Sequence, residues 1–521
     1  MSGLTVQLPL TQSGGSKRLS TPRPVAHVEL VGKVEKIRHF LKWEYGSTRA
    51  AWMPMAAALN PGKARDFLAN QFGYTDSAAP VENLAEQIKR VPHVLGIPRL
   101  GWTPTHDAFM FGPMPLYTGP THPTYEFFAP EGTLLHNAAQ ALTPKGSRDE
   151  QYKAFRGLWG TSDDFKLVMA LAAVSPFLEI VGAPPIAFHV AGPSGVGKTT
   201  LLRLAVSVYA DPDSPLTKVD LSKDTQNYAD AQCGILHNFP LLLDETTLSD
   251  PKDLARAAYQ FAVGRSKGRL TGPEQNYVPA EPLTYTLVCF MSGETSIRDE
   301  FENGGGAARL IELPTEGPLL AKDQLPTWYG FPTTHWGWMG RDVVQRVIDR
   351  GMLATDEGGL RFVYGGYRAV TGEWCDDHAR MLDFLAAVQV GYRLAGATLF
   401  GTDPGHDQAQ AFAQGVYRRL NKATKVDDVL AACQADRRIT VWADRGFVPL
   451  DTFDGVAGDY GMPRVALVRL LKTQSVVTKL ESRTIKDPTE RSVRCAILTP
   501  RGQAWLSRSA ATGPNVVSPD Q

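Results

Sequence analysis

Residues Ile186–Ala205 read IAFHVAGPSGVGKTTLLRLA. A short apolar run leads into a glycine-rich loop and then an amphipathic stretch. Ile186–Ala191 has the character of a strand buried on both faces of a parallel sheet. The loop Gly192-Pro193-Ser194-Gly195-Val196-Gly197-Lys198-Thr199 fits G-x-x-x-x-G-K-[ST] at every fixed position. Glycine at 192, 195 and 197 lets the backbone turn its N–H groups inward where a Cβ would clash. Those groups, with Thr200 and the N-terminus of the following helix, form a cradle for phosphate oxygens. Lys198 is placed to reach the β- and γ-phosphates of ATP, and the Thr199 hydroxyl to hold Mg2+.

The 521 residues are enough for about three or four domains. Hydrophobic residues make up 43%, so a large core can form. The 54 basic and 54 acidic residues cancel, so any binding to nucleic acid must come from local patches. Cys233, Cys289, Cys375, Cys433 and Cys495 are scattered and odd in number, with no C-x-x-C pair. This argues against a zinc site or a disulfide framework and fits a reducing cytoplasm, that of the host if the protein is viral. Residues 1–22 are Ser/Thr/Gly-rich and read as a disordered tail without a signal peptide. The most apolar stretch, Leu167–Ala183, carries Pro176 and Glu179 and is too short to span a bilayer. It reads as a buried helix leading into the phosphate-loop strand.

An amino-terminal α+β domain is expected over 23–160. Lys33–Lys42, Pro61–Phe72 and Val81–Val91 read as helices, the last with Leu84, Ile88 and Val91 on one face. Arg99–Trp102 and Ala108–Gly112 read as short strands around a turn, and Pro113–Pro123 as a loop. His106, His122 and His136 are too scattered to suggest a metal site.

The nucleotide domain is expected over 161–317. Phe239-Pro240-Leu241-Leu242-Leu243-Asp244-Glu245 is an apolar strand ending in two acids, downstream of the phosphate loop. Asp244 is placed to hold Mg2+, and Glu245 to polarise the attacking water as general base. Asp250-Pro251 starts a helix with Leu254, Ala258 and Phe261 inward. It ends in Gly264-Arg265-Ser266-Lys267-Gly268-Arg269, either a solvated turn or a hairpin reaching a polyanion. Leu283–Met291 is a third strand, ending in Ser292-Gly293-Glu294. In phosphate-loop ATPases of the AAA+ kind a polar residue at this strand end senses the γ-phosphate, and Ser292 takes that place. Further on, a flexible run Gly304-Gly305-Gly306 precedes Arg309 and the short strand Leu310–Pro314. That pattern suits an arginine finger acting on a neighbouring subunit's nucleotide, with Arg298 as the second choice.

At this point the chain resembles a family. Arg99–Trp102, Ala258-Tyr259, Phe290–Glu294 and Ala307–Leu310 look like helicase-like AAA+ ATPases of phages and mobile genetic elements, a domain of unknown function similar to superfamily 3 replicative helicases. The resemblance spans roughly residues 49–332. It implies a homo-oligomeric, hexameric ring that translocates on single-stranded or forked DNA. It also implies a basic hairpin in the pore between the second and third phosphate-site strands, the interval that holds Arg265, Lys267 and Arg269. Replication proteins such as a primase are further implied partners, and no membrane is involved. In one departure, Ser292 stands where superfamily 3 usually has Asn.

From 318 to 425 a helical collar or lid is expected, with helices at Arg341–Leu353, Asp376–Leu394 and Asp407–Leu420. Trp328, Tyr329, Trp336 and Trp338 read as a packing plug at its start. Residues 426–509 read as a winged helix, with helices at Val426–Ala435 and Pro463–Leu471 and strands at Ser475–Leu480 and Ser492–Leu498. Between Gly461 and Arg508 ten Lys/Arg stand against three Asp/Glu. Arg464, Arg469 and Lys472 on the recognition helix, and Lys479, Arg483, Lys486 and Arg491 on the wing, are candidate phosphate contacts on DNA. Residues 510–521 read as a disordered tail. The expected architecture is thus α/β: a superfamily 3-like, phosphate-loop AAA+ core with three flanking modules. Two functions stay open: an ATP-driven DNA helicase or translocase, and an AAA+ switch or remodeller in regulation, packaging or defence that does not unwind DNA.

Overall fold

The computed structural model describes residues 21–31, 39–45, 49–75, 80–131, 133–220, 224–243, 251–266, 269–271, 278–280, 282–301, 304–315, 317–375 and 377–420, and, further on, 440–442, 447–449, 453, 471, 477–484, 492–498 and 515–517.

The amino-terminal sheet has the order β3-β2-β1-β4-β8, built from β1 (Arg23–Leu30), β2 (His39–Tyr45), β3 (Arg49–Pro54), β4 (His93–Ile97) and β8 (Tyr125–Phe127). β2 corrects the end of the helix expected over 33–42, from His39 on; residues 33–38 lie outside the described residues. HFLKWEY alternates, burying Leu41 and Trp43 on one face, and the period of two wins over the helical reading. Helices α1 (Met55–Ala58), α2 (Pro61–Phe72) and α3 (Leu84–Arg90) accompany this sheet. α2 begins and ends where expected: Asn60 caps the N–H groups of Gly62 and Lys63, Pro61 opens the helix, and Gly73 closes it at φ 66°. Leu41, Trp43 and Met53 pack with Ala64, Leu68 and Phe72 in a small separate core.

β5 (Gly101–Trp102), β6 (Ala108–Met110) and β7 (Pro115–Tyr117) form an antiparallel trio. β7 falls inside the stretch read as a loop, and α4 (Leu134–Ala141) follows it. From Ile97 onward the apolar core is continuous to Leu420, with no break at the boundary expected near 160. α5 (Arg148–Thr161) and α6 (Asp163–Val174) are capped by Ser147 and Ser162. α6, a 3-10 turn and α7 (Leu178–Val181) form the buried helical lead-in to the next strand.

The central sheet is all parallel, in the order β10-β11-β14-β9-β15. Its strands are β9 (Ile186–Ala191), β10 (Lys218–Val219), β11 (Leu241–Leu243), β14 (Val288–Gly293) and β15 (Leu310–Pro314). α8 (Lys198–Val206), α9 (Gln226–Leu236) and α10 (Pro251–Val263) connect them, and the glycine run read as flexible forms α11 (Gly304–Ala307). β12 (Arg269–Thr271) and β13 (Val278–Ala280) make an antiparallel hairpin between β11 and β14.

α12 (Leu325–Gly330), α13 (Trp338–Asp349), α14 (Leu360–Trp374), α15 (Ala379–Phe400) and α16 (His406–Leu420) complete the helical part. Trp336 is buried and donates to the Thr143 carbonyl, while Tyr329 stays exposed under the Arg203 guanidinium. α15 is core, which corrects the lid reading. Gly391 lies so close to the Ala170 carbonyl of α6 that a Cβ there would collide with it, and Phe384 stacks on Phe188 of β9.

In the carboxy-terminal part, β16 (Thr440–Trp442), β17 (Phe447–Pro449), β18 (Val477–Thr484), β19 (Ser492–Leu498) and β20 (Asn515–Val517) form a sheet ordered β18-β19-β17-β16-β20. The expected antiparallel pair is present as β18 and β19. β20 corrects the tail reading: Asn515–Val517 pairs in parallel with Thr440–Trp442. The helices expected at 426–435 and 463–471 fall mainly outside the described residues.

Candidate functional site

β9 is buried along its whole length between β14 and β15. At its end the chain leaves the sheet through Gly192, whose N–H donates to the Gly293 carbonyl at 3.1 Å. A Cβ at Gly192 would run into the Thr315 side chain and carbonyl, so only glycine fits. Thr315 clamps this corner: its N–H and hydroxyl donate to the Ala191 carbonyl at 2.7 and 3.1 Å. Gly195 (φ 79°) and Gly197 (φ 92°) take left-handed conformations, and a Cβ on Gly197 would press on Leu325. The Leu319 N–H donates to the Val196 carbonyl at 2.9 Å, closing the loop from the other side. α8 starts at Lys198, directly after Gly197, with Thr199 and Thr200 in its first turn. The order strand, glycine loop, helix is therefore the one the sequence demanded.

Lys198 is nearly buried, and its ammonium folds back on the loop, donating to the carbonyls of Gly192 (2.8 Å) and Pro193 (2.7 Å). Burial pulls its pKa down, and the nearby Glu294 carboxylate opposes that shift. The lysine thus sits in the mouth of the cradle, held by weak neutral acceptors that a stronger anion can replace.

β14 lies between β9 and β11, with Ser292 level with Val190 and Gly293 level with Ala191. Ser292 is buried at the strand end, beside the root of the loop. On its other side β11 runs parallel, Leu243 pairing with Met291. Asp244 and Glu245, which follow Leu243 in the chain, lie outside the described residues.

Arg309 is at the opposite edge. Leu310 pairs with Ala187, so Arg309 is level with Ile186, at the start of the strand whose end carries the loop. Six residues of parallel strand separate the two levels, about 20 Å. Its guanidinium stacks over Tyr259 at 4.9 Å. Arg298 is exposed in a short 3-10 turn after β14.

The basic stretch forms the root of a hairpin. Gly264 (φ 71°) ends α10, Arg265 bridges Thr284 and is exposed, and Arg269 opens β12 opposite Ala280. Lys267 lies outside the described residues, as do Arg464, Arg469 and Lys472. The root is tied to a polar cluster at the same edge. His237 Nδ1 meets the Thr284 carbonyl at 3.1 Å, and its Nε2 lies 3.0 Å from Glu179. Burial pushes the Glu179 carboxyl up, but hydrogen bonds with His106, His237 and Asn238 hold it far below the usual range.

Sequence reasoning missed Thr315 and Leu319. Leu319 acts through a backbone contact and Thr315 through its N–H and hydroxyl together, and neither carries a signature in the sequence.

Residues 32–275 match the family model described as a domain of unknown function, DUF927. Among solved structures the chain is similar to SCCmec type IV Cch, an active helicase: TM-score 0.60, 16% identity, covering 93% of this chain and 95% of that one. The chain has that helicase's fold. A structure of NtrX from Brucella abortus in complex with ATP also matches, at 14% identity over 76% of this chain and 86% of that one. Its TM-score is 0.19. No curated protein matches the chain. Among the described residues no helix is long and apolar enough to cross a membrane.

Proposed function

We propose that this chain is an ATP-dependent DNA helicase or translocase of the superfamily 3-like, AAA+ kind from a phage or mobile element, working as a hexameric ring. The observation that supports this most is the sheet order. It sets the strand that carries Ser292 near its end between the strand that runs into the glycine loop and the strand that runs towards Asp244 and Glu245. The glycine cradle, which a Cβ at Gly192 would fill, fits a polyphosphate chain. Gly192 to Thr200 bind the phosphates, and Lys198 exchanges the loop carbonyls for phosphate oxygens. Thr199 and Asp244 would hold Mg2+, which neutralises charge on the β- and γ-phosphates. Glu245 takes a proton from the attacking water, Ser292 orients the terminal phosphate, and Arg309 reaches the nucleotide of an adjacent subunit. The hairpin carrying Arg265, Lys267 and Arg269 grips the DNA backbone in the pore, with Arg464, Arg469 and Lys472 as further phosphate contacts.

Unwinding of forked DNA with ATP, compared between wild type and Lys198→Ala, tests this reading. Strand release that disappears in the variant is the expected result. ATP hydrolysis without strand release under any condition would replace the helicase with a switch or remodeller.

A further inference from the structure

The aromatic residues expected to form a packing plug part company in the fold. Trp336 is buried, and Trp328 packs against the core with Phe331, but Tyr329 keeps 51% of its surface in water. Its place is set by the segment that closes the phosphate loop. After Thr315 clamps the Ala191 carbonyl, the chain runs beside the loop: the Leu319 N–H donates to the Val196 carbonyl, and Leu325 lies against Gly197. α12 starts at Leu325, so Tyr329 stands about one helical turn further on. There its ring meets α8, with the Arg203 guanidinium over one face at 4.2 Å. Arg203 is buried and donates to Asp213 at 2.5 Å, so it is a fixed platform under the ring. It follows Lys198 by five residues, about 8 Å along α8, and helical side chains lean back towards the helix N-terminus. The ring is thus held beside the loop, within the span of a nucleoside whose phosphates fill the cradle. A half-exposed aromatic ring backed by a cation offers a flat stacking surface.

We propose that Tyr329 is the base platform of the nucleotide site: a purine base stacks on the ring face turned away from Arg203 while its phosphates lie in the glycine loop. This rests on the reading of the loop as a triphosphate cradle and adds to it the residue that holds the base. A purine, with two fused rings, covers more of the phenol than a pyrimidine does. Stacking gains from that area and needs no hydrogen-bond pattern. The segment from Thr315 to Tyr329 then serves both ends of the nucleotide, clamping the loop at one end and seating the base at the other.

The test is titration calorimetry of the full-length chain with Mg2+ and ATP, CTP or inorganic tripolyphosphate, for wild type, Tyr329→Ala, Tyr329→Phe and Lys198→Ala. Wild type should bind ATP more tightly than tripolyphosphate. Tyr329→Ala should lose about tenfold or more in ATP affinity while its affinity for tripolyphosphate stays at the wild-type value. The preference for ATP over CTP should narrow in the same variant, and Tyr329→Phe should bind ATP as wild type does. Wild-type ATP affinity in Tyr329→Ala removes Tyr329 and leaves the loop standing. Equal losses for ATP and tripolyphosphate also overturn the proposal, since they make Tyr329 a support of the loop. ATP binding as weak in Tyr329→Phe as in Tyr329→Ala overturns stacking in favour of the hydroxyl. A wild-type chain that binds neither ligand, or Lys198→Ala that binds both as wild type does, sinks the reading of the loop itself and the base platform with it.

Discussion

Lys198 and Arg309 stand at opposite edges of one parallel sheet: the loop of Lys198 leaves the end of β9, and Arg309 enters β15 level with the start of β9. A single chain cannot bring both cations to one triphosphate, because about 20 Å of strand lies between them. In Arg309→Ala the affinity of the phosphate loop for nucleotide should be unchanged while hydrolysis drops by about 10³ or more. Equilibrium binding and steady-state turnover measured side by side check this. A parallel loss of affinity in dilute, unassembled protein would place Arg309 at its own nucleotide after all.

The contact of Gly391 with the Ala170 carbonyl makes α15 a core element. A methyl group there cannot be accommodated by a side-chain shift, since the obstacle is backbone. Gly391→Ala should lower stability by about 1–3 kcal/mol, read as a fall in the denaturant midpoint at constant slope. If α15 were a separable lid, the midpoint would not move.

The glycine loop was legible because its chemistry depends on residue types that few other conformations tolerate. β9, β11, β14 and β15 were legible as short apolar runs at chemical landmarks. β2 was misread because His39–Tyr45 is short, and a window of that length supports both periods. α14 was missed because Gly365, Gly366 and Gly372 sit inside it, where glycine argues against a helix; three-dimensional packing of Tyr364, Tyr367 and Thr371 overrides that preference. β20 was missed because a three-residue strand gains its stability from a partner, Thr440–Trp442, that lies far off in the chain.

Glu312 joins two strands of the site. Its Oε2 lies 2.8 Å from His189 Nδ1 on β9 and accepts the Ile297 N–H at 3.1 Å, in the segment after Ser292. Burial pushes its carboxyl up, but the hydrogen bond and charge of His189 outweigh burial and hold it below the ordinary value. With a folded pKa below the unfolded one, its contribution is present above pH 4.5 and fades as the pH falls below that value. Glu312→Gln should lower stability by about 1–3 kcal/mol at neutral pH and show a smaller further loss towards pH 4 than wild type. Urea titrations at the two pH values measure both; identical pH slopes would mean that Glu312 is not the group responsible.

His27 lies beside two other imidazoles, 3.0 Å from His39 Nδ1 and ring to ring with His93 at 5.0 Å, while Glu29 meets His93. Burial first, then the charges of His93 and His39, lower its pKa below 6.5, and Glu29 offsets part of this. A folded pKa below the unfolded one means that stability is full above pH 6.5 and declines as the pH falls through the folded value. Amide exchange of β1, β2 and β4 should therefore quicken between neutral pH and pH 5, after correction for the intrinsic rate. His27→Gln should flatten that trend, and an unchanged profile would show that another group drives it.

The hairpin supplies the sharpest test of the DNA reading, because salt dependence counts phosphate contacts independently of how tight binding is. Arg265 and Arg269 flank Lys267 at the root of β12, and the exposed Arg265 is fixed by its bridge to Thr284. If each of the three meets one phosphate of a single strand, replacing all three by Gln lowers the slope of log affinity against log salt by about two. Binding should weaken uniformly across sequences, since phosphates carry no base information. Fluorescence anisotropy of a labelled single strand at several salt concentrations measures the slope directly. A variant that binds more weakly but keeps the wild-type slope would mean that the three cations act by shaping the hairpin, and an unchanged affinity would make the turn a solvated surface.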